Sequence, residues 1–237
     1  MSADDAYDYG DPKRSDYEQS LIMRNWNATG SDTSSWRDRI LDDGTDREKW
    51  LGARVPVVGA SDAAKLARAS SIPSVLAAKL SNRSFTGNNY TESGNRWEPM
   101  MLAWAGIAGN KALVHSVDEP GFAATPDGVQ GLPDGRLLLA ECKAKHNKVV
   151  FGPTLGEWRQ VSWQFLTFPE AETLEFIWVE LIDDELRTDL NGEPKHLTIY
   201  RRDPKVQDLL AQMLPLARDL LPQLRAALQF EKEMNAA

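Results

Sequence analysis

The fold class this sequence predicts is a mixed α/β domain, a central mixed sheet flanked by helices on both faces. Three observations carry it. The elements run as helices, a long helix, three strands, a helix, two strands and closing helices. The stretch TLEFIWVEL (173–181) is apolar at most positions, as a strand buried on both faces must be. The stretches at 156–168 and 204–233 instead repeat their apolar residues at helical spacing.

In chain order, residues 1–33 are polar, acidic and aperiodic and read as a tail without fixed structure. The domain is expected over 34–237. Ser35 before WRDRIL reads as a capped short helix. GASDAAKLAR (59–68) reads as a helix with Ser61 as its N-cap. IPSVLAAKL (72–80) is a second short helix with Pro73 near its start. In TESGNRWEPMMLAWAGIAG (91–109), Trp97, Met101, Trp104 and Ala105 follow the i, i+4, i+7, i+8 pattern. Proline is tolerated in a first turn, so Pro99 sets the expected start near Asn95 to Glu98. KALVHSV (111–117) alternates like a strand. GFAATPDGV is a strand entering a turn, and GRLLLAECKAK (135–145) is the strand after it. GEWRQVSWQFLTF (156–168) is a helix. TLEFIWVEL and HLTIYRR (196–202) are strands. Residues 204–233 form one or two helices, kinked or divided at Pro215 and Pro222.

Composition narrows the chemistry. One cysteine, Cys142, in 237 residues excludes a disulfide framework, a thiolate zinc site and a cysteine-held iron–sulfur cluster within one chain. It fits a reducing, cytoplasmic setting. No stretch is apolar enough to span a membrane. Net charge is −8, yet residues 1–48 hold twelve acids and six bases, so −6, and the remainder holds 23 and 21, so −2. A nearly neutral body leaves room for a local basic groove.

The strand 135–145 ends on Glu141 and Lys143. Side chains two apart on a strand share a face, so a carboxylate and an ammonium project together. Asp127, expected at the turn of the preceding hairpin, reaches the same end of the sheet. Carboxylates converging on a sheet edge suit a hard, oxygen-loving dication. A lysine beside the metal can orient or deprotonate an attacking water, and the set suits metal-assisted phosphodiester hydrolysis. The same residues also fit a turn aspartate with an exposed strand-end ion pair. Three further segments bear on the choice. Glu98 is an acid near a helix start. Gln160 and Gln164 are four apart on one helix face. Arg54 lies seven residues before Ser61, where a helix N-terminus attracts anions.

In this order, W-x3-R followed by GASDAA, G-x2-WE, PDG with ExK, and Q-x3-Q resemble the lambda exonuclease and YqaJ-type viral recombinase family. That family belongs to the PD-(D/E)XK (restriction endonuclease-like) nuclease superfamily. The resemblance covers about residues 48–182. It implies one or two magnesium or manganese ions on Asp127 and Glu141, helped by the Cys142 backbone carbonyl, with Glu98 as third acid. It implies that Lys143 positions or activates the water. Arg54 and Ser61, with Thr125 and Gln160, would hold the 5′-terminal phosphate. The implied activity is 5′-to-3′ degradation of one strand of duplex DNA in a phage-type recombination system inside a bacterial host cell. The implied partners are DNA ends and a single-strand annealing protein that uses the 3′ overhang, and the implied assembly is a homotrimer.

The alternatives are a structure-specific endonuclease of the same fold and a catalytically inactive DNA-binding module. Lys145 and Lys148 fit either DNA phosphates or a solvated strand end. His115 and His196 read as structural or surface. Trp50 and Trp158 read as core, with base stacking as the other use.

Overall fold

The computed structural model describes residues 35–81, 89–183, 185–187 and 193–236, so the segment read as a tail, 1–33, lies outside it. The described residues open on a 3-10 turn, Ser35–Arg39, that runs into strand β1 (Ile40–Asp42). Helix α1 (Arg47–Arg54) follows, an element the sequence reading lacked. Asp46 caps it, accepting the Glu48 and Lys49 N–H groups at 3.0 and 3.2 Å. It fully buries no residue, so no apolar stripe announces it.

β2 (Val58–Gly59) leads into helix α2, which is only Ala60–Ala63. The expected serine cap is corrected here. Gly59 is the N-cap residue, its N–H is taken by Asp62 Oδ2 at 2.9 Å, and Ser61 lies inside the helix. Asp62 is then the N3 residue, and its carboxylate reaches back to the cap amide as the N3 acid of a capping box does. Helix α3 (Ile72–Ser81) has Pro73 in its first turn, as expected. Helix α4 (Asn89–Ala105) starts earlier than expected and holds Pro99 in its interior. Pro99 is exposed, so water can serve the carbonyl it leaves unpaired.

The strands β3 (Leu113–His115), β4 (Phe122–Ala124), β5 (Gly128–Gly131) and β6 (Leu137–His146) come next. Helix α5 (Leu155–Thr167) is closed by a reciprocal Thr154–Glu157 capping box. β7 (Ala171–Ile182), β8 (Glu185–Leu186), β9 (Lys195–Tyr200) and α6 (Pro204–Ala236) complete the order.

The fold class is as expected, but the single sheet is two. One sheet has the order β1-β3-β4-β2, with β2 parallel to β4. The other runs β5-β6-β7-β8, with β9 also on β7. β6 and β7 are parallel and joined through α5, the crossover that parallel pairing requires. The break falls at Thr125–Asp127, where the chain passes from one sheet to the other.

Strand alternation sorts the core. Leu137 and Leu139 face a cluster with Trp158, Trp163 and the leucines of α6. Leu138, Ala140 and Cys142 face Met101, Leu102 and Ile107 of the α4 side. Glu141 and Lys143 therefore belong to the α5 face. Trp163 of α5 also holds the first sheet: its Nε1 donates to Ala123 O at 3.2 Å and its ring lies 4.8 Å from that of Phe122.

Of the two readings left open for 204–233, one helix or two, the structure has one. α6 is one helix of 33 residues with Pro215 and Pro222 inside it. Both prolines are on its exposed side, while Val206, Leu209, Met213, Ala217, Leu220, Leu221 and Leu224 form the buried stripe.

Candidate active site

β5 pairs with β6 only as far as Gly128 opposite Ala140. Beyond that pair the β5-side edge of β6 is open, and Asp127 stands at the departure point. Its Oδ2 accepts the Cys142 N–H at 2.7 Å. The position corrects the expectation. Asp127 lies in the link between the two sheets, and the hairpin turn is at Leu132 to Arg136, closed by Gly135 with φ +84°.

Gly128 fixes that departure. A Cβ there would lie 2.8 Å from Ile107 Cγ2, 2.8 Å from Leu102 Cδ2 and 3.0 Å from Ala140 Cβ. Gly128→Ala is expected to destabilise the fold by about 1–3 kcal/mol through overpacking. It should also move Asp127 off the Cys142 amide. Urea unfolding checks the first effect, and a loss under about 0.5 kcal/mol, the level of an inert surface change, would contradict it.

Glu141 is 1% exposed and is held at both oxygens. Lys143 Nζ donates to Oε1. Gln160 Nε2 donates to the same oxygen at 2.6 Å, and Gln164 Nε2 donates to Oε2 at 2.5 Å. The i, i+4 glutamines thus clamp the carboxylate from one helix. Gln160 was expected at a terminal phosphate; the structure brings it to Glu141 instead. Helical spacing pairs Gln164 with Gln160 but does not reveal its role, which only the crossing of α5 over β6 supplies. Thr125 sits two residues before Asp127, and its Oγ1 is buried with no hydrogen-bond partner.

Glu98 is half-buried on α4, one turn before Met101 and Leu102. It is a mid-helix residue, not the first-turn acid expected. Burial, then the charge of Glu141, raises its pKa. Asp127 is raised well above the ordinary carboxyl value by burial first, then by Glu141, with Glu98 adding to it. Burial works against charge on Lys143, but Glu141 and Asp127 outweigh it and hold the ammonium above its usual pKa.

Among the described residues no three acidic, histidine or cysteine side chains form a ready metal cage. The donor chemistry nevertheless fits a hard cation. Asp127 and Glu141 supply carboxylate oxygens. A strand residue points its N–H and C=O to the same side, so the Cys142 carbonyl aims at the open edge beside Asp127. Oxygen donors suit magnesium or manganese, and a dication would relieve the mutual repulsion of Glu98, Asp127 and Glu141.

The second candidate region is a cavity of about 280 Å³ lined by Arg47, Arg54, Ser61, Asp62, Lys65 and Lys79, among others. Arg54 ends α1, and its guanidinium donates to Ser61 Oγ at 3.1 Å. Arg54 and Ser61 therefore come together as expected, and Arg47, Lys65 and Lys79 join residues the sequence reading did not assign. Neither Thr125 nor Gln160 lines this cavity. The helix at Ser61 has four residues, too few for an appreciable dipole, so any anion there is held by cations. Lys79 is committed elsewhere, to Asp62 at 2.6 Å and to the Arg54 carbonyl at 3.1 Å.

Other candidates resolve plainly. Lys145 is 4% exposed and ion-paired with Glu157, so it is not a DNA contact. Lys148 is exposed. Trp158 is buried, with Lys205 Nζ 4.4 Å from its ring. Trp50 is half-buried under Arg54, 4.8 Å from the ring. His115 Nδ1 meets the Ser116 carbonyl at 2.8 Å, and His196 pairs with buried Glu175 at 3.2 Å; both are structural.

Two sheets flanked by helices, with an aspartate at a strand departure and E-x-K on the next strand, define the restriction endonuclease-like PD-(D/E)XK fold. No protein-family model and no curated protein matches the chain. Among solved structures it is similar to the alkaline exonuclease LHK-Exo from Laribacter hongkongensis, with a TM-score of 0.56 at 19% identity over 80% of this chain and 98% of that one. The same exonuclease in complex with dAMP gives a TM-score of 0.58 at 20% identity over the same shares. At these identities the likeness establishes the fold, which is the one the sequence resemblance implied.

Proposed function

We propose that this protein is a metal-dependent 5′-to-3′ exonuclease acting on duplex DNA. One observation carries the reading. At the open edge of β6, Asp127, Glu141, Lys143 and the Cys142 carbonyl converge, and no packing need explains burying them there. Similarity to an exonuclease whose structure holds dAMP, the kind of nucleotide such an enzyme releases, supports it.

In this reading Asp127, Glu141 and the Cys142 carbonyl hold magnesium or manganese, one or two ions, with Glu98 as the additional acid. The metal would polarise the scissile phosphate and ready a water for attack. Lys143, whose ammonium Glu141 and Asp127 favour, orients or activates the water and offsets phosphate charge. Gln160 and Gln164 fix Glu141. Arg54, Ser61, Arg47 and Lys65 hold the terminal 5′-phosphate by charge-assisted hydrogen bonds. Thr125 is placed with the catalytic edge. A single-strand annealing protein taking the 3′ overhang, a homotrimer, and a phage-type recombination role in the bacterial cytoplasm belong to the same reading through the resemblance. No described helix is long and apolar enough to cross a membrane.

The cation-lined cavity favours an end-recognising enzyme over an endonuclease. Linear duplex DNA labelled at one 5′-phosphate, with magnesium, tests this. Nucleotide release from that strand, its loss in Lys143→Ala and intact closed circles are expected. Cleavage of closed circles would move the assignment to an endonuclease. DNA binding with no cleavage under either metal would mark an inactive module. Arg54→Ala should erase the preference for 5′-phosphate over 5′-hydroxyl ends, about tenfold or more for a lost charge-assisted contact. An unchanged preference would remove the cavity from the reading.

A further inference from the structure

Gln164 is out of place for an ordinary helix residue. It is fully buried on α5, between Trp163 and Phe165, which are also fully buried. Its Nε2 donates to Glu141 Oε2 at 2.5 Å, while its Oε1 is buried with no hydrogen-bond partner. An unsatisfied buried acceptor is destabilising. An apolar side chain would avoid that cost but would leave the buried Oε2 of Glu141 without its donor, so the amide is explained by Glu141 and not by its own packing. Reversing the amide would set its carbonyl against a carboxylate, so the Glu141 contact alone dictates its orientation.

The two oxygens of Glu141 are held differently. Oε1 has two donors, Lys143 and Gln160. Lys143 is 26% exposed and Gln160 half-buried, so Oε1 is the outward oxygen. Oε2 is the inward oxygen, and among the described residues Gln164 is its one side-chain donor. If Gln160 leaves, Lys143 still holds Oε1. If Gln164 leaves, nothing fixes Oε2, and the carboxylate is free to rotate.

We propose that Gln164 is a positioning residue that pins the inner oxygen of Glu141, so that the outer oxygen is presented to a divalent cation at the open edge of β6. The inference rests on the nuclease reading and adds to it a division of labour within the glutamine pair. Gln160 shares a redundant contact on the outer oxygen. Gln164 supplies the fixed one.

The test measures manganese and magnesium binding to the DNA-free protein by titration calorimetry, with melting temperature in EDTA alongside. Loss of an outer-shell partner weakens metal affinity about 10- to 100-fold, and that is expected for Gln164→Met. Its melting temperature in EDTA should fall modestly, because the buried Oε2 of Glu141 loses its donor even as the orphaned amide oxygen is removed, and the metal-affinity loss is read only on protein that still folds. Gln160→Met should weaken metal binding of the DNA-free protein by less than about threefold, well short of an outer-shell loss. Wild-type affinity in Gln164→Met overturns the proposal. If Gln164→Met does not fold, Gln160→Met decides: a loss of tenfold or more would mean Gln160 holds the carboxylate, and the proposal falls. Absence of metal binding by the wild-type protein would overturn the nuclease reading itself, and this inference with it.

Discussion

Asp127→Asn is expected to abolish cleavage of duplex DNA and, in the same protein, to raise the melting temperature measured in EDTA. The two effects share a cause. Asp127 is buried beside Glu141 and Glu98, and burial followed by their charge makes its anion costly. Asparagine keeps an acceptor for the Cys142 N–H and removes that anion. The gain is on the order of 1 kcal/mol, which for a domain this size means about 2–4 °C. Catalysis loses the several kcal/mol that a bound metal supplies, a fall on the order of 10³-fold. Magnesium should stabilise the wild-type protein, as any ligand of the native state does, and leave the variant unmoved. A variant that melts lower than wild type in EDTA would show that Asp127 is kept for the fold.

The same charges set a pH dependence. Asp127 and Glu98 both have raised pKa values, so the folded protein binds more protons there than the unfolded chain. Stability contributed by these groups therefore rises as pH falls through the raised values toward the ordinary carboxyl range near 4. Lys143 acts in the alkaline range: its raised pKa contributes stability that is full below the unfolded lysine value and lost above the folded one. In EDTA, the advantage of Asp127→Asn over wild type should shrink as the buffer is made more acidic. Magnesium should remove that trend in the wild-type protein by neutralising the carboxylates.

The parts of the site legible in the sequence were those fixed by short-range geometry. Glu141 and Lys143 share a face because strands alternate, and Gln160 and Gln164 share one because helices repeat. Both hold. What depended on tertiary placement was not legible. Which group Gln160 meets is set by how α5 crosses β6, and no local pattern encodes that crossing. The two-sheet break at Asp127 was hidden because β1, β2 and β8 are three, two and two residues long, too short to show a period. Pro99 was expected in a first turn and Pro215 at a kink or division, yet both lie inside helices, on exposed sides where water can reach the carbonyl left unpaired. At Ser61 the local cue misled, because the helix starts at Ala60 with Gly59 as its cap and Asp62, at N3, takes the cap amide.

Glu157→Ala is expected to be among the most destabilising single changes in the domain, although Glu157 touches no candidate metal ligand. Its Oε1 accepts from Lys145 Nζ, and its Oε2 accepts from the Thr154 N–H and hydroxyl at 2.8 and 2.9 Å. One carboxylate thus caps α5 and ties it to β6, the two elements that carry Gln160, Gln164, Glu141 and Lys143. The Lys145 side chain is 5% exposed and that of Glu157 16%. Breaking a buried pair by removing one partner costs about 3–5 kcal/mol, and the partial exposure of Glu157 points to the lower end. Loss of the cap adds about 1 kcal/mol. Burial already lowers the Lys145 pKa with Glu157 opposing it; without Glu157 it falls further. A lowered lysine pKa means the folded state binds fewer protons than the unfolded chain, so the variant should gain stability as pH rises toward the ordinary lysine value. Denaturation at pH 7 and pH 9 would show a gap to wild type that narrows at the higher pH. Lys145→Met with Glu157→Leu, which leaves no buried charge, should recover most of the stability, short of the cap. Nuclease activity should not return fully with it, because α5 would no longer be tied to β6 where its glutamines meet Glu141. A loss under about 1 kcal/mol in Glu157→Ala, the same at both pH values, would mean the pair behaves as a screened surface contact and that α5 is held in register by its apolar face alone.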